Sequence, residues 1–263
     1  MTPNSQPNRP QENAEDNGLP RQQGSQSKLD LQSLPPGMVV TIDGISSITR
    51  RPIGELIAQA LGAALADSGR FYRSLTMSCL EAGVDLEDSE AVGNFCSTAR
   101  LNVWLRREGS SVEEACLFVN GDLFNNDELA SVHADAPKVA FTPQARDRVQ
   151  RVLRNLEGPK RVVVLGRDIG ARVFPGTPFK FFVTAPAGAT PQLSSQDNEA
   201  TLDFSYRSAN RNNTIQPSGS VLIDGGALSA AQACERILRE LVPQFVRHEE
   251  MEMRWVEDMD LHQ

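Results

Sequence analysis

Three short clusters gather residue types able to hold a phosphate. The first follows the apolar run Met38-Val39-Val40-Thr41-Ile42-Asp43 and reads Gly44-Ile45-Ser46-Ser47-Ile48-Thr49-Arg50-Arg51-Pro52. A loop between a buried strand and a helix can offer backbone amides and a helix dipole to an anion. As a Walker A sequence this loop fails, and strand–loop–helix is the commonest unit of α/β proteins, so on its own it reads as structure. The second cluster is Asp67-Ser68-Gly69-Arg70-Phe71-Tyr72-Arg73. The third, Gly166-Arg167-Asp168-Ile169-Gly170, directly follows a buried run, where strand C-termini of a parallel sheet form the ligand crevice. An arginine fork there suits phosphate oxygens. A tight turn with an internal ion pair explains Gly-Arg-Asp equally well by spacing alone.

The elements that must position these clusters follow from hydrophobic patterning. Met38 to Asp43, Arg161 to Leu165, Phe179 to Thr184 and Val221 to Asp224 are short apolar runs with β-branched residues, and read as buried strands. A helix is predicted from Pro52 to Leu61, with apolar positions 53, 56, 57, 60, 61, 64 and 65 on one face and Pro52 in the first turn. Leu101 to Leu105 and Ala115 to Val119 predict an antiparallel hairpin, and Pro143 to Leu156 a helix. Ser229, with Gln232 completing a capping box, starts another from Ala230 to Leu241. Strands alternating with helices indicate a parallel α/β sheet carrying excursions.

Composition is that of an ordinary globular chain: 263 residues, 40% hydrophobic and 23% charged. The 6% aromatic share leaves the core to aliphatic residues. A net charge of −8 without a basic face argues against nucleic-acid binding. Cys79, Cys96, Cys116 and Cys234 form no C-x-x-C pair, and with three histidines they assemble no metal site. No signal h-region or membrane-length apolar run is present, so the reading is a cytoplasmic monomer with no membrane partner.

Residues 1–37, rich in Gln, Asn, Pro and Ser, read as a disordered leader that cannot offset its ordering entropy. At the other end, 243–263 reads as an acidic extension. Arg247 to Gln263 holds six acids and two arginines, with Met251, Met253, Trp255, Val256 and Met259 among them. A docked helix is the preferred reading of that stripe, and a surface for a protein partner the alternative.

Taken together, the clusters resemble bacterial cytidylate kinases. Asp67-Ser68-Gly69 with Tyr72-Arg73, Val119-Asn120-Gly121-Asp122, Gly166-Arg167-Asp168-Ile169-Gly170 with Val173-Phe174-Pro175, Lys180 to Ala185, and Val221 to Asp224 with Leu228-Ser229 stand in family order over Met38 to Leu241. The resemblance implies a P-loop nucleoside-monophosphate-kinase-like parallel-sheet core within 38–242. It also implies an inserted monophosphate-binding region at about 74–140 and a shortened lid at about 185–212. The reaction it implies is transfer of the ATP γ-phosphoryl group, with Mg²⁺, to CMP or dCMP.

Residue by residue, the resemblance assigns Ser68 and Arg73 to monophosphate binding, Arg146 to the cytosine, and Arg167 with Asp168 to the core pair. Arg50, Arg167 and Asp168 become the catalytic candidates. Pro137 stands where the family commonly has a base-contacting serine. On the ATP side, the family loop resembles Gly-Pro-Ser-Gly-x-Gly-Lys-Gly-Thr/Ser, of which Gly44 and Ser46 remain. Ser47, Thr49 and Arg51 replace glycines that let backbone wrap a phosphate. Arg50 replaces the lysine, Pro52 the magnesium-binding hydroxyl, and Leu165 an acid before Gly-Arg-Asp. No lysine or arginine lies between Thr184 and Tyr206; Arg207 and Arg211, on one helix face by spacing, are the lid candidates or a solvated surface. Two readings follow. One is a divergent kinase using Mg-ATP, with CMP, dCMP or another nucleoside monophosphate as partner, impaired in transfer. The other is a kinase-like module without activity that senses nucleotide or binds a protein.

Overall fold

The computed structural model describes residues 31, 34–44, 47–107, 112–184 and 215–241. Among these, seven strands form one sheet: β1 (Val39–Gly44), β2 (Ala64–Asp67), β3 (Leu101–Arg106), β4 (Glu114–Val119), β5 (Val162–Gly166), β6 (Lys180–Thr184) and β7 (Val221–Asp224). Their order is β3-β4-β2-β5-β1-β6-β7. Every neighbouring pair is parallel except β3 and β4. The helices are α1 (Ser47–Leu61), α2 (Ser68–Glu81), α3 (Ser89–Thr98), α4 (Asn126–Ser131), α5 (Ala136–Ala140), α6 (Pro143–Arg154) and α7 (230–241). This is the expected α/β fold with a mostly parallel sheet. No helix among the described residues is long and apolar enough to cross a membrane.

β1, β2 and β5 are buried along their whole length because both faces of the sheet are covered. Side chains alternate between faces with period two. Val40, Ile42, Val163 and Leu165 pack against α1 and α7 through Ile53, Ile57 and Ile237. Val39, Val162 and Val164 face the other way, onto Phe71 and Leu75 of α2 and Val149 and Leu153 of α6. Thr41 and Asp43 share this second face by alternation, and both are fully buried.

The predicted helix from Pro52 to Leu61 is corrected at its start. It starts at Ser47, placing Pro52 in the second turn rather than the first. Side-chain-bearing residues at 47, 49 and 51 do not need the wrapped loop that glycines allow, and the backbone there turns helical instead. At the other end Gly62 adopts φ +58°, which stops the helix at Leu61. Ala64 and Leu65, expected on the helix face, form β2.

The hairpin is where the sequence placed it, registered from Leu101↔Val119 to Arg106↔Glu114. It extends the main sheet, joining β2 through Leu65↔Glu114. Ser229 and Gln232 make their reciprocal capping box at α7, with Ser229 N–H donating to Gln232 Oε1 at 2.9 Å and Gln232 N–H to Ser229 Oγ at 3.3 Å. Leu34, 2% exposed, sits in the α1 side of the core with Leu31 packed against it, so the expected disordered leader at 1–37 is corrected at these residues. The Arg161 guanidinium holds that stretch by donating to the carbonyls of Leu34 and Pro35. Residues 1–30, the expected lid at 185–212 and the extension at 243–263 lie outside the described residues.

Candidate functional site

The chain leaves β1 toward β2 on one side and returns through β5 to β6 on the other, so the C-terminal ends of β1 and β5 flank a topological switch point. Gly44 closes β1 at φ +153°, and a Cβ there would lie 2.3 Å from the carbonyl oxygen of Val183. Only glycine fits. Ser46 lies outside the described residues. Thr49 is half-buried in the first turns of α1, its γ-methyl 2.9 Å from where a Cβ on Gly225 would sit.

Arg50 and Arg51, adjacent on α1, do different things. Arg50 is 6% exposed, and its Cδ lies 3.3 Å from the place a Gly44 Cβ would occupy. Its charge is felt by Asp67, Arg167 and Asp43, the residues at or just after the ends of β2, β5 and β1. Burial lowers its pKa to about 10, so it stays a cation at neutral pH. Arg51 is bound into the scaffold: Nη2 meets Glu114 Oε1 at 2.5 Å, Nε meets Glu55 at 2.9 Å, and Nη1 lies 3.7 Å from Asp67. Burial opposes its charge, but Glu114, Asp67 and Glu55 outweigh that and raise its pKa. In this position Arg51 ties α1 to the hairpin.

A cavity of about 130 Å³ opens beside Arg50. It takes in Ser68 and Arg73 of α2, Arg146 of α6, and Arg167 with Asp168 after β5, so the monophosphate-side residues expected from sequence converge on one space. Asp67 caps α2 by accepting from Gly69 N–H at 2.9 Å. Burial depresses the pKa of Arg73, with Asp67 acting against it, and likewise that of Arg167, with Asp168 acting against it. Asp168 pairs with Arg146 and lies 3.3 Å from Arg172 Nε. Ala136, Pro137, Ala140 and Phe141 give the cavity an apolar wall, with His133 beside them. The half-buried Tyr72 phenol, pushed up to about 12 by desolvation, stays neutral there.

One carboxylate without a role in the sequence reading organises this site. Asp43 accepts from Ile169 N–H at 2.7 Å and Gly170 N–H at 2.8 Å, fixing the π-helical turn Ile169–Val173 that follows Arg167 and Asp168. Gly170 must be bare, because a Cβ would lie 2.7 Å from Thr41 Oγ1 and 3.2 Å from Asp43 Oδ2. Desolvation raises the Asp43 pKa to about 6, against the lowering effect of those two amides and of Arg50. The signal was present in sequence as an acid at the end of an otherwise uncharged buried strand. Asp67, which faces Arg50, Arg51 and Arg73, was visible in its motif but had no assigned part.

The two arginines proposed for the lid, Arg207 and Arg211, lie outside the described residues. Among the described residues no cluster of three or more His, Cys, Asp or Glu gathers that could hold a metal ion.

The sequence model of the family described as cytidylate kinase matches residues 40–242. A cytidylate kinase of Mycolicibacterium paratuberculosis is 31% identical over 227 residues, covering 79% of this chain and 96% of that protein. One from Deinococcus radiodurans is 31% identical over 211 residues, covering 78% and 99%. A third, from Pseudomonas savastanoi pv. phaseolicola, is 29% identical over 218 residues, covering 77% and 94%. The match spans every strand of the sheet and all the residues that converge on the cavity, so this chain belongs to the cytidylate kinase family.

Proposed function

We propose that the cavity binds CMP or dCMP and that phosphoryl transfer from ATP is impaired or lost. The observation that carries this is the start of α1. In a phosphate loop, bare glycine backbone wraps the β- and γ-phosphates, a lysine neutralises them and a hydroxyl takes the metal. Here a helix is already formed at Ser47. The second of its two arginines is held by three carboxylates, and Pro52 has neither the hydroxyl nor an N–H. These residues do not fit magnesium–ATP. The acceptor side keeps what a nucleotide needs: arginines for the phosphate, Asp168 paired with Arg146, and an apolar wall for the base.

Calorimetric titration of CMP, and separately of ATP with Mg²⁺, tests both halves. CMP binding without ATP binding is expected, together with a coupled-assay turnover far below the ~1 s⁻¹ at the low end of kinase rates. Turnover at or above ~1 s⁻¹ overturns the impairment. Failure of CMP to bind overturns the retained pocket.

A further inference from the structure

The antiparallel hairpin closes one end of the sheet and is packed on one face only. Leu101, Val103 and Leu105 of β3 and Ala115, Leu117 and Val119 of β4 join the core on the side of α2 and α6. By alternation Asn102, Trp104 and Arg106, with Glu114, Cys116 and Phe118, look the other way. Leu65, the register partner of Glu114, belongs to the α1 side of the core, so this second face continues the one on which α1 and α7 lie. α1 reaches the hairpin at the Arg51–Glu114 pair. Beyond that pair Trp104 is 65% exposed, the most of any large apolar side chain among the described residues, with the Phe118 ring centroid 5.8 Å from its own. β3 is also the last strand in the sheet order, with no strand on its outer side among the described residues. An aromatic face at a sheet edge marks a surface that another segment covers.

The chain carries a segment suited to it. α7 ends at Leu241 on this same face of the sheet, and residues 242–263 follow. Neighbouring strands lie ~4.8 Å apart, so even from β7 the steps to β3 span ~29 Å, which about nine extended residues cover. The chain can therefore stand over the hairpin just before Met251, Met253 and Trp255. The charges agree. Residues 100–107 hold Arg100, Arg106 and Arg107 and no acid. The hairpin acids Glu113 and Glu114 are met from other elements, by Lys160 and by Arg51 and Arg70. Residues 247–263 hold six acids against two arginines. A second copy of the hairpin would instead set the same arginines against themselves.

We propose that the C-terminal segment 243–263 docks on the open face of the β3–β4 hairpin. Met251, Met253 and Trp255 lie against Trp104 and Phe118, and the acids of the segment face the arginines of residues 100–107. The segment then seals the open edge of the sheet.

The two tryptophans of the chain stand on opposite sides of this contact, which makes acrylamide quenching of indole fluorescence the test. In the full chain, Trp255→Phe leaves Trp104 as the single reporter and keeps an aromatic ring in the tail. Its quenching constant is expected to be at least threefold below that of N-acetyltryptophanamide. It should rise at least twofold when Met251→Ser with Met253→Ser, or Glu250→Lys with Glu252→Lys, is added. The protection should be constant over a hundredfold range of protein concentration, as a contact within one chain requires. Should the Trp255→Phe chain misfold or lose the contact, the wild type decides. Both of its indoles are expected to be shielded, and a fraction of the emission that quenches as freely as the reference compound overturns the proposal. Protection of Trp104 that survives both pairs of tail substitutions means that something else covers the hairpin and overturns the choice of occupant. Protection that grows with concentration assigns the face to a second copy and overturns it too.

Discussion

Replacing Asp43 by asparagine probes the joint between β1 and the Gly-Arg-Asp turn. In the folded chain its carboxyl titrates at about 6, against an ordinary value of 3.8, because burial disfavours the anion more than two amides and Arg50 favour it. An acid with a raised folded pKa binds its proton more tightly folded than unfolded. Its contribution to stability is therefore greatest at low pH, and is lost as pH rises from about 3.8 through about 6. Asparagine occupies the same space and never ionises. The difference in unfolding free energy between wild type and Asp43→Asn consequently isolates this one titration, since all other groups cancel.

With 1.36 kcal/mol per pKa unit, wild type should lose ~2 kcal/mol relative to the variant between about pH 4.5 and about pH 7.5. A second effect, constant with pH, is superposed. Asparagine accepts from only one of the Ile169 and Gly170 N–H groups and points its own N–H₂ at the other, at a cost of ~1–3 kcal/mol. Urea unfolding of both proteins at four pH values reads the slope, and the offset drops out of it. A difference that stays flat over this range, or that grows in favour of wild type as pH rises, refutes the desolvated carboxylate and the role given to it here.

Arg51→Met should destabilise the fold by ~1 kcal/mol or more, because Arg51 and Glu55 are partly exposed while Asp67 is buried, and lower the midpoint of thermal unfolding by roughly 2–4 °C. Gly170→Ala puts a methyl 2.7 Å from Thr41 Oγ1 and 3.0 Å from Pro217 Cγ; a loss of ~1–3 kcal/mol in urea unfolding is expected, with weaker CMP binding by calorimetry as the turn shifts. Arg146→Met removes the Arg146–Asp168 pair and should weaken CMP binding roughly tenfold or more in the same titration. Rebuilding the loop with Ser47→Gly, Thr49→Gly, Arg50→Lys, Arg51→Gly and Pro52→Thr together should raise affinity for magnesium–ATP at least ~10-fold; an unchanged titration would mean that the start of α1 does not limit ATP binding.

The strands β1, β5 and β6 were legible because a strand covered on both faces must be a short apolar run, edge strand β7 because its run Val221–Asp224 is apolar and β-branched although Leu222 is exposed, and the hairpin because two strand-like runs bracket a polar turn. β2 was not legible. Ala64 and Leu65 continue the helical spacing of α1, and only the positive φ of Gly62 breaks it. That conformation belongs to the backbone, and a glycine inside a periodic segment does not declare it. The start of α1 failed for a related reason: Pro52 is a good first-turn residue, so pattern alone preferred it there. Ser68, Arg73, Arg146, Arg167 and Asp168, singled out from sequence, line one cavity, and each is carried by a local cluster or a single element. Asp43 reaches the turn at Ile169 across 126 positions of sequence, and Arg51 reaches Glu114 across 63. Such partners are set by tertiary approach, which no window of sequence contains.

On the proposed reading, the same separation lets one half of the site change while the other persists. In that reading the acceptor half is built from α2, α5, α6 and the end of β5, where Asp67 and Asp168 lie among the arginines. The donor half is one segment, Gly44 to Pro52, between β1 and α1. Its glycines could be exchanged for side chains without touching the acceptor wall, provided the new side chains found partners. Arg51 found them in Glu55, Asp67 and Glu114. Arg50 instead turned inward over Gly44 and joined the cavity of the other half. A loop that merely decayed would have no need to place a guanidinium under 94% burial at the ends of three strands, where desolvation opposes its charge. The cation is tolerable there because Asp67 and Asp43 flank it.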